Sequence, residues 1–182
     1  MADATAPGIG DIDPQIIAGI PDGELADYLV WRERVHNTNI SEKTLLATDF
    51  LNHFNEIVML VEMVPDMPEM IEDCRMWEPK GYQDHFRQSG FSDKELAIAA
   101  YEHVPSKFKV PFEDTIVQMN TVVLATLAKL ASLIEEHDPD RLRLECQLSV
   151  ELMNRVAQVA NGIIHGTTHV MEQSEIDAFI GT

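Results

Sequence analysis

Along most of the chain the apolar positions return every three to four residues, the period of a helix with one buried face, and nowhere do they alternate singly as in a half-buried strand. The stretch PDGELADYLVWRERVH predicts a first helix at about 22–36. A second is expected at about 42–64, with Ser41 as its N-cap and Leu46, Phe50, Phe54, Ile57, Val61 and Val64 on one face. Pro65 and Pro68 close it. From there to Val110 the chain breaks into short helices, punctuated by EPKG, by SGFSDKE with Ser92 and Glu95 as a capping box, and by VPSKFKVP.

Pro111, at the first helical position, opens a long helix at about 112–136 with Ile116, Val123, Leu127, Leu130 and Ile134 on one side. After the turn EHDPD, with Asp138 as cap and Pro139 at the first position, another long helix runs to Ile164. Its stripe is Leu142, Cys146, Ser149, Met153, Val156, Ala160 and Ile163. So short a turn between long helices of similar length forces an antiparallel hairpin. The expectation is an all-α, four-helix-bundle-like body at 14–164, preceded by a disordered 1–13 and followed by a linker at 165–170 and a flexibly tethered terminal helix at 171–182.

Composition narrows the partners. With 13 Lys and Arg against 31 Asp and Glu, a formal net charge of -18, the chain has no basic stripe to track phosphates, which argues against nucleic acid and anionic membranes. Cys74 and Cys146 lie far apart with no metal-binding spacing and read as core residues in a reducing compartment. The acidic start MADATAPGIGDIDP has no apolar core of a leader and no run approaches eighteen uninterrupted apolar residues, so a cytoplasmic protein is expected.

The end of the chain, VMEQSEIDAFIGT, is too short to hold a helix alone in water and must fold against something, either its own bundle or a partner. Met171, Gln173, Glu175, Ile176, Asp177, Ala178, Phe179 and Ile180 resemble the peptide with which the flagellar switch protein FliM, and similarly the chemotaxis phosphatase CheZ, bind the phosphorylated response regulator CheY. Glu172 stands where Ser is usual, and Phe179 and Ile180 replace Leu. The placement after a helical body is similar to the CheZ phosphatases, which carry Asp-x-x-x-Gln on a long helix. Asp114 and Gln118 have that spacing, with Val117 where the family commonly has Gly. The resemblance implies that the terminal peptide binds a CheY-like regulator, that Gln118 positions water in line with the aspartyl phosphate, and that Asp114 holds a partner lysine. It also implies no cofactor of the chain's own, the magnesium ion residing on the regulator.

Helical geometry adds to this. Residues four apart share one side of a helix, here roughly opposite the Ile116, Val123 and Leu130 stripe, so Asp114 and Gln118 are expected to face solvent. A hairpin that climbs and returns brings Ile164 back beside Phe112, and the tail then emerges near the pair. A non-catalytic helical adaptor that only recruits the regulator is the alternative. A phosphotransfer or metal-binding bundle centred on His53 is another, although the simplest reading of that histidine is a boundary residue satisfied by Asp49 or Glu56 in the polar stripe they form with Asn52. Glu151 and Asn154 resemble the Glu-x-x-Asn of the other chemotaxis phosphatase class, an α/β fold; His165 and His169 have metal-compatible spacing but flank the linker glycine Gly166. Whether the bundle forms a homodimer is left open.

Overall fold

The computed structural model of the chain describes residues 12–169, 171 and 173–180, and not the side chains of Gln173, Glu175, Phe179 and Ile180. Of the segment expected to be disordered, 1–11 lie outside the described residues, whereas Ile12 is buried and Asp13 caps the first helix through a bond from the Gln15 amide at 2.9 Å.

Every regular element among the described residues is helical. In order they are α1 (Pro14–Ile17), α2 (Asp22–Val35), α3 (Asn52–Met63), α4 (Ile71–Arg75), α5 (Tyr82–Gln88), α6 (Lys94–Tyr101), α7 (Ser106–Glu135), α8 (Pro139–Ile164) and α9 (Gln173–Ile180). The centre is the α7–α8 hairpin, against which α3 packs on α8 and α4 on α7. The α5–α6 pair forms a second layer with α2 against α6. All seven residues of the expected α8 stripe are buried.

Both long helices end in the same way. After α8 the Gly166 amide donates to Ile163 at 2.9 Å and the Thr167 amide to Gly162 at 3.0 Å, a Schellman motif with Gly166 at φ +103°. After α7 the His137 amide donates to Ile134 and the Asp138 amide to Leu133, with His137 at φ 57° in the place a glycine usually takes. Asp138 then caps α8, its carboxylate accepting from the Arg141 amide at 3.0 Å.

Three boundaries differ from the sequence reading. The second helix does not begin at Ser41: residues 42–47 form a turn, buried from residue 44 to 47, with Leu45 at φ 66°, followed by a 3-10 turn at Thr48–Leu51, and α3 starts only at Asn52. The polar groups of this turn find distant partners. Tyr28 donates to the Glu42 and Lys43 carbonyls, Thr44 donates to the last carbonyl of α8 at Ile164 (2.7 Å), and the Ala47 amide donates to the Tyr82 hydroxyl (2.7 Å). Next, α7 starts at Ser106, five residues before Pro111, which lies inside the helix. The Glu24 carboxylate of α2 accepts from both the Ser106 amide and its hydroxyl, so a neighbouring helix supplies the cap that the local sequence lacks. Last, α6 is preceded by Asp93, whose carboxylate accepts from Asn39, and Ser92 does not cap it.

Candidate functional site

Asp114 and Gln118 lie one turn apart on α7, and they differ in surroundings. Asp114 is exposed, as is Val117 between them at 63%. Gln118 is half-buried and so departs from the solvent-facing position expected of it. Thr115 and Met119, its neighbours toward the hairpin, are fully buried, so Gln118 sits on the rim of the packed face.

The other half of the rim is the tail. Gln118 Nε2 reaches toward the main-chain carbonyl of Met171 at 3.5 Å, a long bond, while its Oε1 is buried with no hydrogen-bond partner among the described residues. The segment thus returns to Gln118, but it does not hang free. Helix α9 packs on α7 and α8, and Met171 and Ile176 are buried, at 6% and 0% exposure. Asp177 is half-buried and Ser174 and Ala178 are exposed. Where a flexibly tethered helix was expected, α9 packs on the chain's own hairpin, with Met171 and Ile176 of the peptide buried there. The cause is local, since Gly166 at φ +103° turns the chain back across α8 as soon as the helix ends.

Among its neighbours, Glu113 accepts from the Tyr101 hydroxyl at 2.8 Å. Burial, with that bond second, raises the Tyr101 pKa well above its ordinary value, so it remains a donor. Glu113 is therefore occupied, and Asp114 is the carboxylate next to Gln118 that faces outward.

His53 is not a surface group. It is 4% exposed, stacked on Trp77 with ring centroids 4.8 Å apart, and its Nε2 lies 3.0 Å from the Glu78 carbonyl. Trp77 in turn donates to the His53 carbonyl at 3.0 Å. Burial, aided by Lys80, lowers its pKa to about 4, so the ring is neutral near pH 7. Its partner is a backbone carbonyl, not Asp49 or Glu56 as the sequence suggested. Enclosed in this way, the ring is a poor phosphate acceptor, and among the described residues no three His, Cys, Asp or Glu side chains converge as metal ligands. His165 and His169 are exposed; His165 Nδ1 is satisfied by the Asn161 carbonyl at 2.8 Å.

The two cysteines are buried and free, and burial pushes the Cys74 thiol up to about 11 and the Cys146 thiol to about 12. Neither suits nucleophilic chemistry. Helix α7 is, among the described residues, long and apolar enough by composition to cross a bilayer; ten of its residues are buried within the protein.

An open cleft of about 820 Å³ lies elsewhere, between the start of α3 and the outer face of α8, and Asn154 lines it. Sequence reasoning singled out Asp49, Asn52 and Asn154 from this cleft but missed Asn39, Asn55, Gln158 and Asn161. The spacing of Asn154, Gln158 and Asn161 at four and three residues was the available signal. The chain matches no protein-family model, no curated protein and no solved structure.

Proposed function

We propose that this chain binds a CheY-like receiver domain through its terminal helix and, with Gln118 and Asp114, promotes loss of the receiver's phosphate. One observation supports this above others: the candidate peptide and the candidate amide, 53 residues apart in sequence, meet at the Gln118–Met171 contact. A receiver gripped by the tail is thereby brought within reach of α7 at high effective concentration. The carboxamide needs no ionisation to hold a water in line with the phosphorus, and its Oε1, buried without a partner among the described residues, becomes an acceptor for that water once the tail is released.

The same geometry sets a condition. Met171 and Ile176 are occupied at home, so the receiver competes with the chain's own hairpin for the peptide. Release of the tail also frees the Gln118 amide from the Met171 carbonyl. Binding and exposure of the catalytic amide are then a single event.

The test is the rate of dephosphorylation of a CheY-type receiver charged with acetyl phosphate, measured with wild type, Gln118→Ala and a chain ending at Gly166. Gln118→Ala should bring the rate to that of the receiver alone while leaving receiver affinity unchanged. An unaltered rate would discard the catalytic role and leave a binding adaptor. The shortened chain should lose affinity; undiminished binding would remove the docking role of the tail.

A further inference from the structure

Five of the chain's seven asparagines, Asn39, Asn52, Asn55, Asn154 and Asn161, line one cleft together with Gln158. They arrive from the loop after α2, from α3 and from α8, so neighbourhood in sequence does not account for the gathering. All six are exposed. No Lys or Arg lines the cleft, and Asp49 is its single carboxylate among the lining residues.

The two walls differ in how their amides are used. On the α3 side they are chained, Asn52 donating to Asp49 at 3.0 Å and Asn55 to Asn52 at 3.4 Å; Asn39 donates to Asp93. On α8 the side chains of Asn154, Gln158 and Asn161 hold no hydrogen bond to another described residue. They stand at i, i+4 and i+7, one stripe of the helix, with the small Ala157 beside them keeping the cleft open. Each presents an N–H and a C=O in one plane, the complement of the N–H and C=O that one extended residue turns to the same side.

We infer that this cleft binds an extended segment of a basic polypeptide by its main chain, the α8 carboxamides pairing with alternate residues. Spacing favours it. Asn154 to Gln158 rises about 6 Å along α8. An extended chain advances about 6.6 Å in two residues, the interval at which it turns the same side to a neighbour. Charge chooses among extended ligands. A chain of net charge -18, with Asp49 in the cleft and Asp93 behind Asn39, concentrates cationic segments, repels phosphates and gives a neutral glycan no electrostatic gain. This inference is independent of the receiver reading, since the cleft uses neither Gln118 nor the tail.

The experiment is fluorescence anisotropy of a labelled decapeptide of alternating lysine and alanine, titrated with the full chain at 150 mM NaCl. Two changes each remove main-chain pairing and preserve charge: N-methylation of the peptide at its alanines, and the triple variant Asn154→Ala, Gln158→Ala, Asn161→Ala. All three positions are exposed on a helix, where alanine is well tolerated, and circular dichroism checks the fold. The expected result is saturable binding that weakens at least tenfold with either change. Equal binding of the methylated peptide, or equal binding by the triple variant, reduces the effect to charge alone and overturns the proposal. So does absence of binding, and so does amide-dependent binding of cellohexaose in place of the peptide.

Discussion

His53 shows how one buried ring can tie stability to pH. Its folded pKa, about 4, lies below the ordinary value of 6.5, so between those limits the unfolded chain binds the extra proton. Stability then rises with pH across that window. Above about pH 6.5 the contribution is complete; as the pH falls toward 4 it is lost, by about 3 kcal/mol in all. His85, whose pKa burial also lowers against the opposing pull of Asp49, and whose Nε2 is buried without a hydrogen bond among the described residues, acts in the same direction. Urea midpoints measured from pH 7.5 to pH 4 should therefore fall more steeply in wild type than in His53→Gln, which retains an N–H for the Glu78 carbonyl but does not titrate. Parallel curves would mean that other groups set the acid sensitivity.

At the scale of elements, periodicity was a reliable guide where a helix carries its own caps. The α8 stripe, Asp138 and Pro139 could all be read directly, because the cap, the first-turn proline and the apolar rhythm sit within one continuous segment. Reading failed where satisfaction comes from afar. Leu46 and Ala47 sit in step with the apolar face of α3, yet with Leu45 they form a turn whose polar groups are held by Tyr28, Tyr82 and the end of α8. Likewise Pro111 resembles a helix start because nothing local reveals that Glu24 caps Ser106. The candidate site divides in the same way. That Asp114 and Gln118 share a side follows from their spacing, whereas the burial of Met171 and Ile176 and the convergence of asparagines depend on which surfaces the fold brings together. The paired helix ends give a sharp comparison. At Gly166 a Cβ would fall 2.7 Å from Ile16 Cδ1 on a backbone at φ +103°, so Gly166→Ala should destabilise by about 1–3 kcal/mol. At the equivalent position after α7, His137→Gly relieves a left-handed residue and should stabilise by about 0.5–1 kcal/mol. Denaturant unfolding of the two variants reads the opposite signs directly; a loss in His137→Gly would show that the bond from its ring to the Glu135 carbonyl outweighs the backbone term.

For the whole molecule the question is how firmly α9 belongs to it. Eight helical residues do not hold together alone in water, so their order is supplied by the hairpin; among the described side chains, Ile176 of α9 and Met171 just before it are buried there. Each such side chain gains roughly 1.5–3 kcal/mol on burial, and the ordering of the segment offsets much of that. The remainder is small enough for a partner offering a better apolar surface to win the peptide. A chain ending at Gly166 should accordingly keep its helical circular dichroism and its cooperative unfolding, with Tm lower by only a few degrees, since about 1 kcal/mol corresponds to about 2–4 °C at this size. Loss of cooperative folding would make α9 part of the core and unavailable to any receiver. A Tm identical to that of the full chain would mean that the tail contributes nothing at home. The intermediate result is the one that a helix shared between its own hairpin and a partner demands, because only a modest self-affinity lets Gln118 be covered at rest and uncovered on binding.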